Sequence, residues 1–559
     1  MDQRKFTCVL ISDFNMDNFV PCLSLDDEFP LIAPVQPPFG QMQQVLIDPA
    51  SECWSKTPDC AVVWSSPHAV SATYAHMLQF KSVDIEQILR EVDDFSSLLL
   101  SAARRVRYLF VPALVLPSYV RGWGLLDMRD GIGTRNALMK MNLRLVENLK
   151  EAQNIFLLNT QLWIEAAGKN AFHTRLWYMA KIPFGNDVFK EAARDIKAAL
   201  RSVSGYAKKI IILDLDDTLW GGVVGDAGWE NIRLGGHDPV GEAFVDFQQA
   251  LKSLTRKGVL LGIVSKNEEG TALEAIRQHG EMVLKPDDFA GWRINWQDKA
   301  RNIVDLVEEL NLGLDSVVYL DDNPAERDRV RNALPEVFVP ELPENTLDYP
   351  AFLTSLRCFD LASFNQEDGQ RSRMYREEKQ RDELKKKMVS VEDWLKSLEI
   401  QVTVEELNEG NLPRTAQLLN KTNQMNLATR RMTEVELMDW VRDAQQRKSW
   451  VFYVSDKFGN SGLTGIASID IDHDNADIAD FVLSCRVLGR KVEDVMLKTV
   501  IDHCRPLGIR KITARYIPTS KNQPCLRFFE SSAFKHAGNN LFVWEMTGKY
   551  PVPSYINVV

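Results

Sequence analysis

Short apolar runs alternate with amphipathic stretches through the first 205 or so residues. Thr7–Ile11, Ala61–Trp64, Tyr108–Val111 and Ile155–Leu158 are continuous runs of aliphatic, β-branched and aromatic residues, the pattern of strands buried on both faces. Val83–Arg104 and Arg135–Ala152 carry apolar residues at helical spacing, so a parallel sheet covered by helices is the economical fold. The alternation restarts near Lys208, with strands predicted at Ile210–Leu213, Val259–Val264, Glu281–Leu284 and Ser316–Leu320 and helices at Gly241–Arg256, Gly270–His279 and Asp298–Leu310. A third region from about Ser390 reads as helix Leu412–Leu419, strands Trp450–Val454, Thr464–Ile471 and Ala476–Leu483, helix Lys491–Cys504 and strand Lys511–Tyr516.

These patterns divide the chain into an N-terminal α/β domain at 1–205, a central α/β domain at 206–345, a charged helical linker at 346–395 and a C-terminal α+β domain at 396–559. Within the linker, 366–387 is built from Arg, Glu, Asp and Lys with few apolar residues, and reads as a solvated connecting helix.

The central domain carries the chemistry. Ile210–Leu213 runs into Asp214-Leu215-Asp216-Asp217-Thr218, which sets two carboxylates at a strand's carboxyl tip, where open α/β sheets bind ligands. In a strand, residues i and i+2 project to one side, so Asp214 and Asp216 share a face that Asp217 does not. The next strand ends at Ser265, Lys299 opens a helix, and the last strand ends in Asp321-Asp322-Asn323-Pro324. Transfer of a phosphoryl group needs a nucleophile, a general acid, donors for the equatorial oxygens and a cation, and the chain offers a residue for each. Several carboxylates in one cleft repel each other unless a divalent ion lies among them, and hard oxygen ligands suit Mg²⁺. Lys285, which also follows a predicted strand, stands as the alternative to Lys299.

Fifty residues separate Asp214 from Ser265, and 33 separate Ser265 from Lys299. That is room for the intervening strands, helices and a Gly-rich flap at 221–236, but not for an inserted cap domain. Water exclusion favours electrostatic catalysis, so an open site of this kind calls for a lid supplied from elsewhere, and a substrate carried on another protein fits that need.

Composition narrows the setting. The 559 residues carry a net charge of −11, which argues against a nucleic-acid partner, where a basic footprint is the rule. Eight cysteines are scattered without a C-x-x-C pair, the usage of reduced thiols in a cytoplasmic protein. The N-terminus lacks a cleavable signal pattern, and no apolar run approaches the roughly 18 residues of a membrane span.

The run from Leu213 through Asp214-Leu215-Asp216-Asp217-Thr218-Leu219-Trp220-Gly221-Gly222 to Gly225, with Trp292-Arg293-Ile294-Asn295-Trp296 and Asp321-Asp322-Asn323-Pro324-Ala325-Glu326-Arg327, resembles the haloacid dehalogenase (HAD) phosphatase superfamily and, more narrowly, the FkbH-like family. The resemblance implies a HAD-like Rossmannoid domain without a large cap. In it Asp214 is the nucleophile and Asp216 the general acid and base, while Ser265 and Lys299 hold the phosphoryl group. Mg²⁺ is then ligated by Asp214, Asp322 and the backbone carbonyl of Asp216.

The flanks extend the likeness. Arg486-Val487-Leu488-Gly489-Arg490-Lys491 follows a strand and opens a helix, placing N–H groups and a helix dipole where a pyrophosphate binds. With Asn522-Gln523-Pro524 downstream this resembles a GNAT acyltransferase, making Arg486, Gly489 and Asn522 candidate cofactor contacts, although Lys491 replaces the final small residue of the usual loop. Lys421–Arg431 is also FkbH-like. The N-terminal domain is similar to SGNH and flavodoxin-like folds; Ser12 and His173 sit imperfectly in the hydrolase blocks and read as a turn former and a loop histidine. Arg175–Phe184 matches FkbH-like segments and reads as a packing seam against the HAD-like domain.

Taken together, the likeness implies Mg²⁺-dependent phosphoryl chemistry coupled to acyl transfer. It implies loading of a glyceryl unit from 1,3-bisphosphoglycerate onto the phosphopantetheine thiol of an acyl carrier protein, in polyketide or related biosynthesis. The alternative is a Mg²⁺-dependent phosphomonoesterase acting on a biosynthetic intermediate, with an auxiliary acyltransferase domain.

Overall fold

The computed structural model describes residues 5–24, 29–55, 57–310, 312–361, 377, 381, 384, 385, 388, 390–442, 446–519, 521–546 and 548–559. The chain divides into two compact units, 1–207 with 357–362, and 208–356 with 363–559.

In the first unit, β1 (Lys5–Ser12), β2 (Leu31–Val35), β3 (Cys60–Trp64), β4 (Tyr108–Pro112) and β5 (Ile155–Leu158) form a parallel sheet in the order β2-β1-β3-β4-β5, that of a doubly wound, flavodoxin-like sheet. Alternation along each strand feeds two cores. Val9, Ile11, Ala61, Val63, Leu109 and Val111 enter one, while Phe6, Cys8, Leu10, Val62, Trp64 and Phe110 enter the other. This two-sided burial is why the strands read as continuous apolar runs. The segment 175–184 packs Leu176, Trp177, Ile182 and Phe184 on its own unit's core, whereas Tyr178 and Met179 are 79% and 77% exposed. The unit's second segment opens with Arg357, whose guanidinium pairs with Glu191 and with Asp195.

In the second unit, β6 (Ile210–Leu213), β7 (Leu260–Ser265), β8 (Phe289–Ile294) and β9 (Val317–Leu320) are all parallel, in the order β8-β7-β6-β9. The strand expected at 281–284 is absent. Val283 and Leu284 instead donate their N–H groups to the Gln248 side chain, Pro286 follows, and the pairing passes to Phe289–Ile294. Between β6 and β7 lie only the helical turns Val224–Ala227 and Trp229–Asn231 and the helix Pro239–Arg256, so no cap domain is inserted there.

The helix Lys299–Glu309 begins at Asp298, whose side chain accepts from the Arg301 N–H. It packs tightly on the sheet at two glycines. A methyl group at Gly262 would stand 3.0 Å from Leu306 Cδ2, and one at Gly291 2.9 Å from Leu306 Cδ1. Of the stretch 346–395 read as linker, Tyr349–Ser355 is a helix whose Tyr349 ring meets Phe244 and Phe247.

The C-terminal sheet contains β10 (Gln401–Glu406), β11 (Met425–Asn426), β12 (Arg447–Asp456), β13 (Gly459–Asp472), β14 (Asn475–Leu483), β15 (Lys511–Arg515), β16 (Lys535–His536), β17 (Leu541–Glu545) and β18 (Asn557–Val558). The order is β16-β17-β15-β14-β13-β12-β10-β18, with β11 pairing β14 off this path. It is mainly antiparallel, with β14–β15 and β10–β18 parallel. Most of 366–387, read as a solvated helix, lies outside the described residues, but Arg381 is described. It is 2% exposed and forms a bidentate pair with Asp456 at 2.6 and 2.8 Å. Asp456 also accepts from Arg490 at 3.1 Å. Burying three charges is tolerated because the carboxylate is shared between two guanidiniums. Among the described residues no helix is long and apolar enough to cross a membrane.

Candidate active site

The carboxyl edge of the central sheet is where its polar side chains converge. Asp214 follows β6 directly, and its N–H donates to the Leu320 carbonyl at 3.0 Å, so the pairing of β6 with β9 sets its backbone. Its Oδ2 lies 3.0 Å from Lys299 Nζ. The same ammonium is 2.6 Å from Asp321 Oδ2, and the Tyr319 hydroxyl also donates to that oxygen. Ser265, at the tip of β7, is buried beside Asn267, whose amide reaches both Ser265 Oγ at 3.4 Å and Asp216 Oδ2 at 2.9 Å.

Asp216 is held differently from Asp214. Its Oδ1 accepts from Trp220 Nε1 at 3.0 Å and from the Val224 N–H at 3.1 Å. The flap that supplies these donors turns at Asp217, which adopts φ +53° and whose carboxylate accepts the Gly222 N–H at 2.7 Å. Aspartate tolerates this left-handed conformation better than most residues. Across the flap, Gly221 and Arg233 exchange backbone hydrogen bonds. Asp322 is fixed by Thr218, which accepts its N–H at 3.1 Å and donates to its Oδ1 at 3.2 Å.

The electrostatics follow from burial. Removal from water pushes the Asp214 carboxyl up to about 6; Lys299 opposes the rise and the Asp321 charge adds to it. Burial also raises Asp322, reinforced by Asp321 and Asp217. For Lys299 burial alone would lower the ammonium's pKa, but Asp214 and Asp321 outweigh it and hold it above its ordinary value. Asp214, Asp321 and Asp322 each offer an oxygen within 4.8 Å of the others, and Asp214 Oδ1 is buried with no hydrogen-bond partner. Three carboxylates facing a single lysine, one with an orphaned oxygen, fit a hard divalent cation.

The sequence-predicted residues fall into two groups. The structure brings Asp214, Asp216, Ser265, Lys299 and Asp322 to one sheet edge. Lys299 is the lysine that reaches Asp214; Lys285 is exposed and sits at the start of the turn Pro286–Asp288, its N–H donating to Asp288. The Asp216 carboxylate lies outside the three-aspartate cluster and is taken up by Trp220, Val224 and Asn267.

Arg486, Gly489 and Asn522 each make hydrogen bonds within the protein. Asn522 is completely buried, its Oδ1 accepting from Tyr516 and Thr519 and its Nδ2 donating to Asn426 and Ile517. The Gly489 N–H is taken by the Glu493 carboxylate at 2.9 Å, and the Arg486 side chain donates to Ser484. Ser12 accepts the Phe14 N–H in a turn, and His173 caps the helix Thr174–Ala180.

Sequence reasoning assigned no role to Asn267, Trp220 or Asp321. Asn267 stands two positions beyond Ser265, in the bend that follows β7, and that nearness in sequence was its available signal. Asp321 stands beside Asp322 in the final motif, but its completely buried position under Lys299 is a tertiary fact.

A parallel sheet whose carboxyl edge gathers paired aspartates, a buried lysine and a serine defines a phosphatase-type α/β domain. Comparison with solved structures agrees. The chain is 30% identical to the N-terminal part of protein BF1531 from Bacteroides fragilis, which contains a phosphatase domain and was crystallised with Mg; the match covers 65% of this chain and 97% of that one, with a TM-score of 0.58. The chain belongs to the same family as that protein. The ribosomal-protein-S18-alanine N-acetyltransferase of Escherichia coli and a GNAT-family acetyltransferase of Staphylococcus aureus align with 26% of the chain at 11% identity. Their TM-scores, 0.21 and 0.22, are too low to assign a fold. No protein-family model matches the chain, and no curated protein does.

Proposed function

We propose that the protein is a Mg²⁺-dependent phosphoryl-transfer enzyme of the HAD type, FkbH-like in its motifs, with Asp214 as nucleophile. The observation that carries this reading is the split environment of the Asp214 carboxylate: one oxygen paired with Lys299, the other buried and unpartnered. Asp214 attacks phosphorus to form an aspartyl-phosphate while Asp216 protonates the leaving oxygen. Asp216 then takes a proton from the water that hydrolyses the intermediate. The hydrogen bonds from Trp220, Val224 and Asn267 keep the Asp216 carboxylate aimed and off the cation cluster. Ser265 and Lys299 hold the transferring group. The cation, held by Asp214, Asp322 and the Asp216 carbonyl, would neutralise charge on the phosphoryl oxygens. The relative's Mg supports this choice of metal.

The more specific reading is that the enzyme loads a glyceryl unit from 1,3-bisphosphoglycerate onto an acyl carrier protein. Two phosphates must leave. The carrier thiol bonds to the acyl carbon as the acyl–phosphate bond breaks and its proton passes to the departing phosphate; the remaining phosphomonoester is hydrolysed at Asp214. Two features support it. The connections around the site hold no cap, leaving room for a substrate on a protein arm. Among the described cysteines none is exposed, and burial pushes the thiols of Cys504 and Cys525 up to about 12, so direct transfer to the carrier thiol is favoured over storage on the enzyme's own sulfur. The alternative is hydrolysis of a free phosphomonoester. Intact-mass analysis of a holo carrier protein mixed with enzyme and 1,3-bisphosphoglycerate decides: a glyceryl adduct is expected, and phosphate release with an unmodified carrier selects the phosphomonoesterase.

A further inference from the structure

The C-terminal sheet contains a wedge. Strands β14 and β15 pair in parallel only over Asn475–Ile478 against Lys511–Ala514. Beyond Ile478, β14 keeps β13 on one edge, through Ala467↔Phe481, Ile466↔Val482 and Gly465↔Leu483, while β15 has left the other. Strand edges that part in this way leave backbone N–H and C=O groups in need of partners, and an extended ligand can satisfy them by strand addition.

Here the chain satisfies them itself. β11 occupies the vacated edge, with Met425↔Leu483 and Asn426↔Val482 in antiparallel register. The Leu427 N–H donates to the Phe481 carbonyl at 3.1 Å, and the Leu427 carbonyl accepts from Ile517 at 2.9 Å, closing the wedge on both sides. Met425 and Leu427 belong to the domain's main core. Asn522 clamps the insert by donating to the Asn426 carbonyl at 3.0 Å.

The loop leading into the helix Val492–Cys504 is closed as well. A helix N-terminus with free N–H groups attracts anions, but this one supplies its own: Glu493, 4% exposed, accepts the Gly489 N–H. Of the loop's basic residues, Arg490 is buried against Asp456 and the Arg486 carbonyl, while Lys491 is exposed and pairs with Asp494 at 3.5 Å. A diphosphate placed here would have to displace one carboxylate and lie beside another.

We propose that the C-terminal domain is a self-occupied, CoA-independent module, in which Met425–Leu427 fills the inter-strand wedge and the Glu493 carboxylate fills the anion loop. The test uses the full chain. Hydrogen exchange of the ligand-free protein is expected to show slow exchange at Leu427 and Ile517, as in the core strands. Titration with CoA, acetyl-CoA and free 4′-phosphopantetheine, followed by calorimetry, is expected to give no saturable binding. Fast exchange at Leu427 without ligand, or saturable binding of any of the three probes with changed exchange at residues 425–427 or 485–491, overturns the proposal. Both readouts are independent of phosphate release, so they stand or fall separately from the assignment of Asp214.

Discussion

Lys299 Nζ lies 3.0 Å from Asp214 Oδ2, with both groups in the protein interior. The lysine is therefore the standing counter-ion of the proposed nucleophile and also the hold on Asp321. Lys299→Ala is expected to leave two buried carboxylates without their cation, which costs roughly 3–5 kcal/mol, and to stop turnover. Urea unfolding alongside phosphate release measures both; an unchanged unfolding midpoint would refute the buried-pair account.

Asp214→Asn keeps the shape and removes the nucleophile. Phosphate release is expected to fall by at least about 10³-fold, with the circular dichroism spectrum unchanged. Retained turnover would show that another residue takes the phosphoryl group.

Asn267→Ala removes one of the three donors on Asp216 without touching Asp214. If Asp216 handles the protons, the expected result is a drop in kcat of roughly 10-fold, consistent with loss of one hydrogen bond to a charged group, with KM little changed. A rise in KM alone would assign Asn267 to substrate binding.

Chelation tests the cation cluster. Excess EDTA is expected to abolish phosphate release and added Mg²⁺ to restore it, because three carboxylates and one lysine leave the site too negative to receive a phosphate. Full activity in EDTA would overturn the metal assignment.

The charge cluster in the C-terminal domain makes stability depend on pH. Burial would raise the Asp456 pKa, but Arg381 and Arg490 outweigh it and hold the carboxyl below its ordinary value. A depressed carboxylate stabilises the fold fully above the unfolded value of about 3.9 and loses that contribution as the pH falls toward the folded value. The wild type is expected to lose stability over this acid range by more than Asp456→Ala, and that variant to be roughly 3–5 kcal/mol less stable near neutrality. Urea midpoints across the acid range check it; parallel curves for the two proteins would exclude Asp456.

Legibility from sequence followed locality. Strands buried on both faces, such as Cys60–Trp64 and Ile210–Leu213, announce themselves as apolar runs, and the acids at strand ends announce themselves by position. The true third strand of the central domain was missed because Phe289–Ile294 interrupts its apolar residues with Gly291 and Arg293, while 281–284 mimics a strand whose backbone is satisfied by Gln248. The partners of Asp216 are equally non-local: Trp220 and Val224 arrive by the fold of the flap, and Asn267 from the bend after β7. In the C-terminal domain the loop motif was visible, but Glu493 was not, since a glutamate in the first turn of a helix reads as an ordinary surface charge.

The two missing methyl groups at Gly262 and Gly291 have a reach beyond the sheet. Leu306 sits on them, two turns along the same helix from Lys299. A single added carbon at either glycine would meet a terminal methyl of Leu306, and that side chain would have to turn to make room. The two glycines thus set how closely the helix that carries Lys299 can lie on β7 and β8, and that closeness is part of what brings its ammonium to Asp214.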